Sequence, residues 1–453
     1  MGEYRHFFQQ VAGGTRRPWM LWVVLPLLFV ATNTWGQILT LTPSLAVGER
    51  YDDNIFQRND KTDDFVTIVT PGIRLLYIPV SDTELNFAYH PSFEFFADNS
   101  NQNHVAQRLS LRFTSPLARR LSLRVSDDLT FTEEPRDRFE EIEDVTGLRP
   151  VSRERRERTL RNRATGDLQL QLAPKSTLGL LFDSLLEDVN VPEEVDEFRY
   201  TVGLEFGYLL KATRGTRASL LYDVTFHTFS ANEGAPPLAA ADFRVHTIQV
   251  GFRHNFSQTL LTNAAVGYAL IDADDPAVDG DGALIAVFNL IKTLRTGEAS
   301  FRYRRQFISG RGEGNVVLID QFILSFAFRP TPKIILDIKG NMSLLDFQES
   351  TTRTADRDRR FWTVRPGLTY EVLRFWRLAV AYDFRYTDFN DATEADRADH
   401  RFAFTSQLVL QDWLFLDLTY YYSLRQFEMG RNDDEFDRNE IMLSITYAPT
   451  FRL

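Results

Sequence analysis

No cysteine occurs among the 453 residues. That excludes disulfides, structural thiolate zinc sites and a lipidated cysteine anchor. Lysine is nearly missing too, with six residues beside forty-five arginines, so almost every cation is a planar guanidinium fork. Histidine occurs only seven times, which leaves little material for general acid–base catalysis. The formal net charge of -11 argues against a nucleic-acid partner. Past the first few dozen residues, no apolar run approaches the ~20 residues of a membrane-spanning helix.

What fills the chain instead is alternation. In Phe198-Arg199-Tyr200-Thr201-Val202-Gly203-Leu204-Glu205-Phe206-Gly207-Tyr208 every even position is apolar and every odd one is small or polar. Successive side chains of a strand point to opposite faces, so this segment builds one apolar and one polar face. The pattern recurs from about Leu39 to the end, interrupted by breaks that are alternately short and long. Short polar turns at one rim and longer loops at the other are the signature of a transmembrane antiparallel up-and-down β-barrel. The 37 phenylalanines and 16 tyrosines suit such a wall and its interfaces.

Short turns are expected at Pro174–Ser176, Lys211–Arg214, Pro330–Lys333, Leu373–Phe375 and Gln411–Trp413, and long breaks at Tyr51–Asp63, Glu133–Glu157 and Asp272–Gly282. The rhythm predicts an all-β barrel of about 20 strands, the Ala283–Leu294 strand alternating most poorly, or about 18 if one hairpin is miscounted. Twenty strands tilted at ~40° give a backbone diameter of about 40 Å, wide enough for an aqueous lumen. Trp376 and Trp413 at short turns, with Trp362, Tyr386 and Phe427 at the opposite strand ends, form two expected aromatic girdles.

The N-terminus holds the one continuous apolar run, Met20 to Ala31, preceded by Arg16-Arg17 and followed by Thr34-Trp35-Gly36. It reads as a secretory signal over residues 1–36, leaving a barrel over 37–453. Arg16-Arg17 resembles a twin-arginine signal, although Pro18 breaks that pattern. The export reading places the protein in the outer membrane of a Gram-negative bacterium, among outer-membrane lipids and lipopolysaccharide. The last strand, Ile441–Tyr447 with Phe451 beyond it, resembles the C-terminal signal read by barrel-insertion machinery.

Two motifs carry a family resemblance. Val47-Gly48-Glu49-Arg50-Tyr51-Asp52-Asp53-Asn54-Ile55-Phe56, followed by Asp64-Phe65-Val66-Thr67-Ile68-Val69-Thr70-Pro71-Gly72-Ile73, resembles the opening hairpin of the β-barrel porin type 2 family. The resemblance implies an outer-membrane porin-like channel. Genes of that family often lie among exopolysaccharide genes, which implies an anionic polysaccharide and its export apparatus as partners.

Parity places Arg108, Arg112, Arg161, Arg163, Arg199, Glu205, Arg217, Asp223, Glu298, Arg302, Arg304, Arg377, Asp383 and Arg385 on the inner, pore-lining face. Arginine forks bind carboxylate and phosphate in two-pronged geometry, so ladders of them suit an anionic solute. Carboxylates are nearly as numerous, and cross-strand pairing that merely fills the lumen is the competing reading. The long Glu133–Glu157 break either folds inward and narrows the pore or lies outside as a solvated charge run. The acidic Asp272–Gly282 loop has carboxylates enough for calcium but lacks EF-hand order, so a plain acidic loop is expected over one that bridges Ca²⁺ to lipopolysaccharide, and no metal site or cofactor is assigned. Two other classes stand beside the channel. One is a plugged structural or adhesive barrel. The other is an outer-membrane hydrolase, for which His227 and His246 are the best candidates, though parity sets them on opposite faces and no nucleophile motif accompanies them.

Overall fold

Alternating side chains commit the backbone to extended structure again and again, and every strand so formed has an unpaired edge until another covers it. The structure, a computed structural model, describes residues 38–79, 82–132, 158–189, 195–211, 215–231, 242–273, 282–310, 315–347, 359–389, 396–427 and 435–452. The proposed leader, the 133–157 loop and most of the acidic loop lie outside the described residues.

The first strands are β1 (Ile38–Asp52), β2 (Asp64–Ile78), β3 (Glu84–Phe96), β4 (His104–Ala118), β5 (Leu121–Thr132), β6 (Thr159–Ala173) and β7 (Ser176–Val189). Next come β8 (Val195–Lys211), β9 (Thr216–Ala231), β10 (Phe243–Ser257), β11 (Leu260–Ala273), β12 (Gly282–Leu294), β13 (Gly297–Gly310) and β14 (Asn315–Thr331). The rest are β15 (Ile334–Phe347), β16 (Arg359–Leu373), β17 (Trp376–Phe389), β18 (Arg397–Gln411), β19 (Leu414–Phe427), β20 (Phe436–Tyr447) and the two-residue β21 (Phe451–Arg452). Each strand pairs antiparallel with the next, and β20 pairs with β1, closing a barrel of twenty strands. Closure removes both edges, which an open sheet of this length would expose.

The segment of poorest alternation is a full member, since β12 pairs with β11 on one side and β13 on the other. β21 continues the β20 ladder in register, with Thr40 opposite Arg452 as Leu45 is opposite Tyr447. The interruption falls at Ala448–Thr450, where Pro449 has no N–H to give the ladder.

Outward residues are apolar and open, such as Leu204, Val250 and Leu284. Tyr222–His246 and Tyr382–His400 link neighbouring strands on this outer face, hydroxyl to ring nitrogen at 3.1 and 2.7 Å. Trp376 donates to the Ser406 hydroxyl at 3.0 Å, Trp413 meets Tyr447 edge-on, and Trp362 packs on Tyr386. Phe427 departs from the expected girdle. It lies opposite Arg397, two positions from the pair Asp399–Arg425, and therefore faces the lumen.

The inner face is not polar throughout. Val66, Val317 and Ile319 face inward at 0%, 0% and 1% exposure. Ile308, Val317, Ile319, Leu345 and Phe361 form one buried inner cluster near the long-loop rim. The sequence warning was the unbroken run Val316-Val317-Leu318-Ile319, in which both faces of the strand are apolar.

Candidate functional site in the lumen

The long-loop half of the lumen contains a cavity of about 830 Å³ against the arc from β6 to β16. Strand parity aims each charged residue into it. β6 supplies Arg161 and Arg163, β7 Asp183, β8 Arg199 and β9 Asp223. On the far flank β13 supplies Arg302 and Arg304, β15 Lys339 and β16 Arg365. Seven cations thus meet two carboxylates, with Thr201, Thr225, Thr247 and Gln249 between the flanks. Fixed charge of one sign in a walled space raises the local concentration of counter-ions.

Asp183 is shared on the first flank. Arg163 donates to it at 3.0 and 3.1 Å, and Arg199 stands 3.7 Å away. On the other flank Arg302 donates to the Asn289 side-chain oxygen at 3.1 Å and Arg304 to that of Gln321 at 2.8 Å. These two contacts are to neutral side chains and orient the guanidinium groups.

Across the lumen the chemistry is different. Asp399, 3% exposed, sits between Arg397 at 2.9 Å and Arg425 at 2.6 Å. Arg385 lies opposite Asp399 in the β17–β18 register, and Asp383 lies 3.3 Å from Arg365. Arg50 pairs with Glu94 at 2.8 Å, and Arg438 pairs with Asp52 and Glu440. Burying such charges is tolerable because each lies against a charge of opposite sign. Charge is thus unevenly distributed: interlocked pairs line β16–β20 and β1–β4, whereas cations outnumber carboxylates around the cavity along β6–β15.

The other residues assigned inward are distributed as follows. Arg108 and Arg112 are exposed on the inner face of β4, and Arg112 borders a second cavity of about 490 Å³ with Arg124 and Asp167. Arg217 donates to the Thr177 hydroxyl across Gly207, where any side chain would collide with its guanidinium group. Glu205 is half-buried on β8, while Glu298 and Arg377 are exposed near the short-turn rim. Sequence reasoning missed Lys339 and Gln321. An isolated lysine and glutamine carry no motif, and only the register brings them to this arc.

His227 is 3% exposed and hydrogen-bonds Glu197 at 3.1 Å on the inner side, whereas His246 bonds Tyr222 outside. The two rings face away from each other and form no joint site. Among the described residues no cluster of three or more metal-ligating side chains occurs.

The sequence matches the family described as Putative beta-barrel porin 2 over residues 38–406, and the chain belongs to that family. No curated protein matches it. The fold is similar to the FrpB iron transporter from Neisseria meningitidis, with a TM-score of 0.53, 8% identity, and 91% of this chain and 81% of that chain covered. It is also similar to the ferric citrate transporter FecA in its unliganded form, at 0.52, 9%, 92% and 79%. The ferric-catecholate import receptor Fiu from E. coli gives 0.52, 7%, 90% and 81%. At these identities the likeness is one of fold, that of outer-membrane barrels.

Proposed function

We propose that this family member sits in the outer membrane of a Gram-negative bacterium and gives polar, anionic solutes an aqueous path, with no chemical step. The observation that carries the reading is the excess of cations around the lumenal cavity, where six from β6 to β15 face two carboxylates and the seventh, Arg365 of β16, pairs with Asp383. Repeated guanidinium groups on neighbouring strands suit a cargo with repeated negative charge, and an acidic polysaccharide leaving the cell is the cargo that family resemblance favours. Lipopolysaccharide and outer-membrane lipids would surround the apolar wall, and barrel-insertion machinery would deliver the chain. One observation favours a closed barrel instead: the buried apolar cluster on the inner face near the long-loop rim.

Bilayer reversal potentials in a salt gradient decide between the two. The parent protein is expected to prefer anions, and changing Arg302, Arg304 and Lys339 to Gln should shift selectivity toward cations. No conductance in the parent protein would favour the closed barrel. An unchanged reversal potential in the triple variant would refute the arginine path.

A further inference from the structure

The two ends of the barrel meet along one seam, β1 against β20, which has no connecting turn. Its continuous ladder is eight residue pairs, Leu45–Asp52 against Tyr447–Glu440, whereas fifteen join β1 to β2. Two more pairs come from β21 beyond the break at Pro449. The strands also approach closely here, since a Cβ on Gly48 would lie 2.9 Å from the Ser444 Cβ.

The first loop lies over the long-loop end of this seam, and the last residue of β1 with the first two of the loop, three consecutive polar residues, engages three consecutive residues of β20. Asp52 accepts from Arg438 at 2.9 and 2.5 Å. Asp53 accepts from the Asn439 backbone at 2.6 Å and from its side-chain amide at 2.9 Å, and its own N–H returns a bond to the Asn439 carbonyl. Asn54 donates to the Asp437 carbonyl at 3.0 Å and to the Arg58 carbonyl at 2.7 Å, and accepts from the Arg58 N–H. Lys61 then bridges Asp437 at 2.6 Å and Asp53 at 3.1 Å. Beneath these contacts Ile55 packs with Val66, Ile68 and Phe96, and Met442 of β20 joins the cluster.

We propose that the segment from Asp52 to Lys61 is a clasp that closes the barrel, holding the first hairpin to the last strand. A loop that merely capped its own hairpin would spend its polar groups on β1, β2 or water. Here they reach residues some 380 positions away, with Asp52 at 1% exposure and Asn54 at 0%. The 97–103 loop between β3 and β4 likewise leans on its neighbouring strand, Asp64 of β2 accepting from the N–H groups of Ala97, Asp98 and Asn99; what sets the first loop apart is that its neighbour is the last strand of the barrel. The Asp-Asp-Asn order is what the seam requires: two carboxylates meet a guanidinium and an amide, and an amide bonds a backbone carbonyl.

Amide hydrogen exchange of the full-length protein in a bilayer tests this. In Asn54→Ala and Arg438→Gln, amides of residues 45–52 and 440–447 should exchange roughly tenfold faster, while those across β10–β11 stay unchanged. The chain has no cysteine, so Ala46→Cys with Thr446→Cys, which are register partners, gives a clean seam disulfide. That bond should abolish the acceleration. Equal acceleration in every strand, or none at the seam, would overturn the proposal. If Arg438→Gln fails to fold, Lys61→Ala removes only the outer bridge and should give a smaller acceleration confined to the same amides; its absence would count equally against the clasp.

Discussion

At the scale of single residues, parity decides what a substitution meets. Val380 follows Leu378 and precedes Tyr382 on the outer face of β17, whereas Ala381 shares the inner face with Asp383 and Arg385. Val380→Arg should therefore cost ~2–4 kcal/mol at mid-membrane, and Ala381→Arg much less, as read by urea unfolding from lipid vesicles. The reverse order would sink the face assignment. A second residue-scale prediction concerns the rim clasp. Burial pushes the Asp53 carboxyl up, but hydrogen bonds from Asn439 and Lys61 outweigh it and hold its pKa below the ordinary value. A depressed carboxyl contributes stability above its unfolded pKa of ~3.9 and loses it as pH falls through the lower folded value. Burial lowers the Lys61 ammonium pKa, yet Asp437 and Asp53 together raise it. Its contribution is complete below ~10.4 and is lost as pH rises through the folded value. Proteolysis of the 53–63 loop should thus be slow and flat from about pH 5 to about pH 10, accelerating as pH falls below about 4 or rises past about 10.4.

At the scale of elements, the strands were legible because period-two alternation is a local property of the chain. Even β12, whose pattern is weakest, was correctly placed as a strand. Its weakness has a cause: Ile285 is buried on the inner face beside Leu284 on the outer one, so hydrophobicity no longer reports direction. Phe427 misled for a related reason, since an aromatic at a strand end signals a girdle only when its parity is outward. What no local pattern carried was the partnership of Asp52, Asp53 and Asn54 with residues 437–439, because contact between chain ends exists only after closure. Gly48 marks that contact. Gly48→Val should wedge the seam apart and cost about 1–3 kcal/mol. Gly340→Ala on β15, where the nearest atom to a new Cβ is 3.9 Å away, should change stability little. Chemical unfolding midpoints of the two variants provide the comparison, and equal losses would show that close approach at the seam is unimportant.

At the scale of the whole molecule, the lumenal charges fall into two arrangements, and the proposed path assigns a different role to each that experiment can separate. Along β16–β20 the carboxylates are interlocked with guanidinium groups and deeply buried, as Asp399 is between Arg397 and Arg425. Along β6–β15 the cations outnumber the carboxylates and border open space. The sequence could not sort arginines into these classes, because parity makes them all lumenal and only the register tells which face a carboxylate. Asp399→Asn leaves two buried guanidinium groups without their shared charge and should cost about 3–5 kcal/mol, while barely moving the reversal potential. Arg302→Gln should do the opposite, leaving stability nearly intact and weakening anion preference. That preference should also fade between 0.1 M and 1 M salt, as the screening length falls from ~10 Å to ~3 Å. If Asp399→Asn shifted selectivity as strongly as Arg302→Gln, charge on both arcs would act on the solute, and the division between a structural arc and a conducting arc would be wrong.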